Sequence, residues 1–201
     1  MRVSLPVLAA ECLGTFVLAL GVGLSVSDAS VLSTPVIAAL TLGTMVYVFG
    51  SVSGCHINPA VTIGLWSRGS LKAEQAAGYI AAQILGGLFA SFVTAYIFGE
   101  ITVLGMGADG LWIVLGEAAG AFLLVLGITA VVDGRVQSEA SGLTIGSSLL
   151  LGILVAAHFS AGILNPAVAV GLGSISLSYL IGPVIGGIAA AQLSMLWKKK
   201  K

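Results

Sequence analysis

The chain has 201 residues, 58% of them apolar and only 8% charged, with a mean hydropathy of +1.11 and zero net charge. A water-soluble domain of this size needs many more charged residues to cover its surface, so the composition excludes one and identifies a membrane protein. The eight basic residues are too few and too scattered to suggest nucleic acid as a partner.

Six apolar stretches, 5–25, 34–52, 76–98, 111–132, 140–163 and 177–197, approach or exceed the ~20 residues that cross a bilayer core. They use most of the chain, which predicts a single membrane domain over 1–201. Arg2 ahead of the first stretch raises a signal peptide. The stretch is too long for one, contains Glu11 and lacks an Ala-x-Ala site, so it is read as the first span. Cys12 lies in that span. After the second span come Ser53-Gly54-Cys55-His56-Ile57 and then Asn58-Pro59-Ala60-Val61-Thr62. Asn is a favoured N-cap and Pro fits the first helical position, so a helix starts here, but the apolar run to Trp66 is too short to span. The small residues before it suit irregular backbone. Such backbone is tolerated at membrane depth only where protein or a water-filled path satisfies its polar groups. A re-entrant loop that descends as extended chain and returns as a half-helix is therefore expected.

The third span carries a stripe of small residues, Gly78, Ala82, Gly86 and Ala90, which lets helices approach closely within or between subunits. The fourth carries Glu117. The fifth leads into Ser160-Ala161-Gly162-Ile163-Leu164 and a second Asn165-Pro166-Ala167-Val168, with a short apolar run to Leu172. The sixth has its own stripe, Gly182, Gly186 and Ala190.

These elements repeat. Residues 10–18 answer to 116–124 and residues 53–61 to 160–168; Glu11 precedes Asn58 by 47 residues and Glu117 precedes Asn165 by 48. The halves run over 1–100 and 101–201. Three spans per half is an odd number, so the second copy enters from the opposite face: an inverted repeat, which builds a transport site where the copies meet. Six spans put the N-terminus, the 2–3 and 4–5 connections and the C-terminus on one side. Those places hold every basic residue (Arg2, Arg68, Lys72, Arg135, Lys198 to Lys201), while Asp28, Glu100 and Asp109 lie opposite. The positive-inside rule then predicts cytoplasmic termini.

By the repeat symmetry the two half-helix starts meet near the midplane. Each offers free N–H groups and about half a positive charge, which repels cations. The Asn58 and Asn165 amides donate to a passing oxygen and loop carbonyls accept. This suits water or another small neutral solute. An ionisable group inside a span is a functional hypothesis by default.

With these residues in view the chain resembles the aquaporin and glyceroporin family over nearly its full length. The likeness rests on Ala10-Glu11 with Gly14-Thr15-Phe16, on residues 53–62, on Glu117, on Asn165-Pro166-Ala167 and on Gly182-Pro183-Val184-Ile185-Gly186. It implies an all-α membrane fold of six transmembrane helices plus two re-entrant half-helices, one pore per subunit and a homotetramer in the cell membrane. It also implies that Glu11 and Glu117 hold the loops by accepting hydrogen bonds, and that His56 shapes the first loop and presents its carbonyl. The family's filter usually includes an Arg after the second Asn-Pro-Ala; Val168 stands there, and the other filter positions fall on Ala38, Ile153 and Gly162. The expected filter is apolar and wider, passing water plus less polar or larger neutral solutes, with His158 or Phe159 the residues that would refill it. Cys55 adjoins the first Asn-Pro-Ala and is a candidate to face the pore. No nucleophile with a base, metal-ligand cluster or phosphate-binding Gly loop is found, so neither an enzyme nor a cofactor is expected. Alternatives are an ion-coupled secondary transporter, which also uses inverted repeats, and a structural membrane protein with a closed pore.

Overall fold

A computed structural model describes residues 3–27, 32–99 and 108–198. Arg2, Asp28, Glu100 and Lys199 to Lys201, which enter the charge argument, lie outside the described residues. Every regular element among the described residues is helical: α1 Leu5–Ser27, α2 Thr34–Ser53, α3 Pro59–Ser67, α4 Ala73–Phe98, α5 Leu111–Val132, α6 Ser141–Ala156, α7 Pro166–Gly171 and α8 Leu177–Ser194. Short 3-10 turns, Ser138–Ala140 and Met195–Trp197, precede α6 and follow α8. With those turns included, six helices are long and apolar enough to cross a membrane. Their outer faces expose Phe92, Tyr96, Trp112 and Leu143 by 67–85%. A hydrocarbon solvent accepts such surface where water would not. The protein is an integral membrane protein.

The short helices start as their sequences predict. The Asn58 Oδ1 accepts from Ala60 N at 2.9 Å and the Asn165 Oδ1 from Ala167 N at 3.0 Å, each ahead of a Pro that has no N–H to satisfy. α1 packs on α4 and α2, and α5 correspondingly on α8 and α6. α3 lies against α8, and α7 against α4, so each short helix docks on the last long helix of the other half. α2 and α6 pack on each other.

Glycine sets these approaches. A Cβ on Gly43 would stand 2.8 Å from the Gly142 carbonyl, and one on Gly64 2.7 Å from the Gly187 carbonyl. Gly86 lies against the Cys12 carbonyl of α1, Gly87 against the Ala167 carbonyl of α7, and Gly186 against the Ala118 carbonyl of α5. Gly78 meets the side chains of Leu8 and Val3. Both small-residue stripes therefore work within the subunit. In lipid no water is expelled by packing, and close van der Waals contact takes over the role of the hydrophobic effect.

Two boundaries depart from the sequence reading. The fifth span stops at Ala156 rather than running to 163: Phe159 N and Ser160 N turn back onto the Ala156 carbonyl, and the chain leaves the helix. Hydropathy did not separate Phe159 to Ile163 from the helix, because the loop is as apolar as the span. α4 begins at Ala73, three residues before the apolar run, because Glu74 and Gln75 extend it as a helix.

Gly43→Val is expected to force α2 and α6 apart and lower stability by about 1–3 kcal/mol, the usual cost of overpacking. Thermal unfolding of the purified protein in detergent checks this as a lower midpoint.

Candidate functional site

The two segments between long and short helices, residues 54–58 and 160–165, are not regular. Cys55, Ile57 and Leu164 have φ of 51°, 38° and 55°, and Gly54 and Gly162 have 89° and 65°. Ile57 and Leu164 are fully buried. A branched residue at positive φ costs on the order of 1–3 kcal/mol and persists only where its surroundings over-determine it. Here the surroundings are two carboxylates. Glu11 of α1, fully buried, accepts from Ser53 Oγ at 2.5 Å, His56 N at 2.9 Å, Ile57 N at 2.7 Å and Gln83 Nε2 at 2.8 Å. Glu117 of α5, equally buried, accepts from Ser160 Oγ at 2.7 Å, Ile163 N at 3.0 Å and Leu164 N at 2.6 Å. A buried carboxylate without partners would be prohibitive; with three or four donors it becomes an anchor. Ser53 Oγ and Ser160 Oγ in turn accept from Cys55 N and Gly162 N, both at 3.0 Å. Tyr79 and Tyr179 brace the same loops: Tyr79 Oη donates to the Ser53 carbonyl at 2.6 Å, and Ala161 N donates to Tyr179 Oη at 2.9 Å.

The loops meet through the asparagines. Asn58 Nδ2 donates to the Leu164 carbonyl and Asn165 Nδ2 to the Ile57 carbonyl, both at 2.9 Å. Positive φ at Ile57 and Leu164 belongs to the same arrangement that brings each carbonyl to the opposite amide. A primary amide has two N–H groups. One on each Asn is spent across the interface, and both residues line a cavity of about 310 Å³. Ala38, Ile153, Gly162 and Val168 line that cavity too, with further walls of Leu18, Val22 and Leu149. A second cavity, about 670 Å³, is lined by Gly54, Cys55, His56, Gly134 and Ser138. The two share His56, Val61 and Ile128, so they abut beside the first loop. His158 and Phe159 line neither: Phe159 is half exposed and stacks on Trp112 with ring centroids 6.0 Å apart. They do not refill the first cavity in this structure.

Sequence reasoning missed Gln83, Thr62 and the tyrosine pair. The signals were a Gln inside an apolar span and two Tyr spaced 100 residues apart ahead of matching Gly-Gly pairs. By sequence Arg68 is one of the basic residues of the 2–3 connection. Arg68 is buried, pairing with Asp133 (Nη2 to Oδ1, 2.5 Å) and donating to Ser194 Oγ at 2.8 Å, so it ties the end of α3 to α5 and α8. At the other end, Asp109 Oδ1 accepts from Ser178 N at 2.8 Å, and this backbone donor holds its carboxyl below the usual range.

The fold and this site define a membrane protein of six long helices and two short ones, with two cavities that abut beside the irregular loops. A family model for major intrinsic proteins matches residues 4–193. The aquaporin AqpM of Methanothermobacter thermautotrophicus is 37% identical over 168 residues, covering 73% of this chain and 68% of that protein. The glycerol uptake facilitator protein-like 6 of Lactiplantibacillus plantarum is 34% identical over 202 residues, covering 90% and 93%. The X-ray structure of the aquaglyceroporin from Plasmodium falciparum shares the fold, with a TM-score of 0.77 at 22% identity over 92% of this chain and 93% of that one. The chain belongs to the major intrinsic protein family.

Replacing Glu11 by Leu leaves His56 N, Ile57 N and Gln83 Nε2 without their acceptor in a buried site. At about 1–3 kcal/mol per orphaned donor, the loss is expected to reach several kcal/mol. Glu11→Gln keeps one acceptor oxygen and should lose less. Unfolding midpoints in detergent rank the variants.

Proposed function

We propose that the protein is a passive channel for water and small neutral solutes, with the Asn58–Asn165 pair as its main selective element. The observation that carries this is the crossed pair of Asn-to-carbonyl bonds, which leaves one amide N–H on each Asn for a passing oxygen. α3 and α7 both begin at this point, so the positive ends of their dipoles oppose cations there. Glu11 and Glu117 act as loop supports. Ala38, Ile153, Gly162 and Val168 form the outer filter, without a charged or polar side chain. Losing a guanidinium at Val168 removes a fixed cation and a fork of donors, which widens the solute range toward less polar neutral molecules. The charge distribution favours cytoplasmic termini in a cell membrane, and the halves 1–100 and 101–201 are read as an inverted repeat of one channel domain. The family resemblance favours a homotetramer with one pore per subunit.

Stopped-flow measurements in proteoliposomes test the reading across water, glycerol, urea and ammonia. The expected result is fast water flux with facilitated passage of at least one other solute, and a narrower range for Val168→Arg. Fast water with no facilitation of the other three would overturn the wide filter; saturable, gradient-dependent flux would point to a transporter, and no flux above bare liposomes to a closed pore.

Cys55 lines the second cavity. A mercurial is expected to slow water flux in the parent and to leave Cys55→Ser unaffected; inhibition that persists in Cys55→Ser would remove Cys55 from the passage.

A further inference from the structure

At one end of the bundle two arginines compete for one carboxylate. Asp133 caps the end of α5 with its side chain buried, and Arg68 reaches it at 2.5 Å, from Nη2 to Oδ1. Arg135 approaches the same carboxylate only to 3.7 Å, from Nη2 to Oδ2, and keeps 32% of its side chain exposed. One negative charge thus faces two positive ones, and the closer, drier pair takes most of it. Glu139, the other carboxylate of this connection, forms no ion pair among the described residues. Beyond Asp133 and the ring of Trp197, the Arg135 guanidinium has no partner among them.

Trp197 holds Arg135 in place, its ring centroid 6.0 Å from the guanidinium carbon. This Trp closes the sixth span, and the 3-10 turn it belongs to leaves Met195, Leu196 and Trp197 between 47% and 76% exposed. Lys198 comes next, also exposed, and Lys199 to Lys201 follow it in the sequence. A half-exposed Trp at the end of a span belongs at the level of the lipid headgroups. There, acyl carbons can cover Leu196 and Met195 while a phosphate meets the guanidinium. Arg offers a phosphate two parallel N–H groups, and a Lys ammonium adds a point charge. Basic residues directly after a span attract anionic lipid in general. Here Arg135 comes from the 4–5 connection, and the fold brings it to that tail. A topology signal needs only that Lys and Arg be numerous on one side; it needs neither an aromatic ring against Arg135 nor bare apolar side chains beside it.

We propose that Arg135, Trp197 and Lys198 form a binding site for the headgroup of an anionic phospholipid, at the membrane surface where the sixth span ends. The site selects by charge. A zwitterionic headgroup brings its own cation toward Arg135 and Lys198 and gains little. An anionic one supplies the negative charge that Asp133, committed to Arg68, does not spare. Gly134, Val136 and Ser138, beside Arg135 in the chain, line the second cavity, so the headgroup binds next to that lining.

Native mass spectrometry tests this on the purified full chain, stripped of lipid in detergent and titrated with dioleoyl phosphatidylglycerol or dioleoyl phosphatidylcholine. The two lipids share their acyl chains and differ in headgroup charge. Phosphatidylglycerol adducts are expected at about ten-fold lower lipid concentration, the factor for one charge-assisted hydrogen bond. Arg135→Gln should remove most of that preference and Trp197→Ala part of it. Lys72→Gln, which removes an exposed basic residue of the 2–3 connection, should leave it unchanged. Equal binding of the two lipids by the parent overturns the proposal. So does a preference that Arg135→Gln leaves intact, which would place the attraction in the lysine tail alone. An equal loss in Lys72→Gln overturns it as well, because net charge would then be the cause. Displacement of the bound lipid by inorganic phosphate at equal concentration would make the occupant a free phosphate and overturn the lipid. If Arg135→Gln does not fold, a parent preference lowered by Trp197→Ala and not by Lys72→Gln upholds the site, and any other pattern overturns it. Lipid is counted on the protein itself, so the outcome stands whether or not the pore conducts.

Discussion

Backbone polar groups at membrane depth must find partners within the protein, and the rest of the structure follows from how this chain meets that demand. Two stretches of irregular backbone, leading into α3 and α7, carry N–H groups that no helix ladder can satisfy. Glu11 and Glu117 take them, and the cost of burying each carboxylate is offset by the same bonds that hold the loop. With their N–H groups committed inward, the loops present carbonyls on the other side. Two of those carbonyls, at Ile57 and Leu164, receive the asparagine amides and lock the halves together. Scaffold and candidate site are thus one hydrogen-bond network, read from opposite faces.

Helix packing makes room for this network. Gly64 and Gly187 bring α3 against α8, while Gly87 and Gly171 bring α4 against α7; a Cβ at any of the four would meet backbone. Each half-helix is too short to be stable alone and owes its position to the long helix behind it. At one end of the bundle Arg68, Asp133 and Ser194 join α3, α5 and α8 through buried charge. Such a pair is weak support for stability in itself, since desolvation consumes most of its attraction. Its geometric effect is to fix the end of α3 and the connection after α5, where Gly134 and Ser138 line the second cavity.

The two cavities differ in chemistry. The first is walled mainly by aliphatic side chains, with the two asparagines among its lining residues. The second is larger and has Ser51, Ser138 and Ser141 among its lining residues. The two loops are therefore alike in their carboxylate anchors and short helices, and unlike in the side chains that line the cavities beside them. Pro183 and Gln83 illustrate the split: equivalent places on α8 and α4, one closing off polar contact and the other extending it.

Much was legible in the chain itself. Apolar runs of spanning length gave the six long helices, because hydrocarbon admits no other way to carry a backbone across. Asn-Pro at 58–59 and 165–166 gave the two short ones, because an N-cap and a residue without an N–H mark a helix start locally. Paired spacings from Glu11 and Glu117 pointed to loops held by carboxylates. What escaped were properties of side chains brought together from distant positions. Beyond the end of α6 at Ala156, Ser160, Ile163 and Leu164 donate to Glu117, 43 to 47 residues earlier by sequence, and no local feature of Phe159 to Ile163 announces it. Gln83 and Thr62 matter only because α4 and α3 place them on Glu11 and His56, and Arg68 is buried only because Asp133 and Ser194 arrive to meet it. Hydropathy and capping act over a few residues and are written in the sequence; the direction of a hydrogen bond and the burial of a charge are set by neighbours that folding alone supplies.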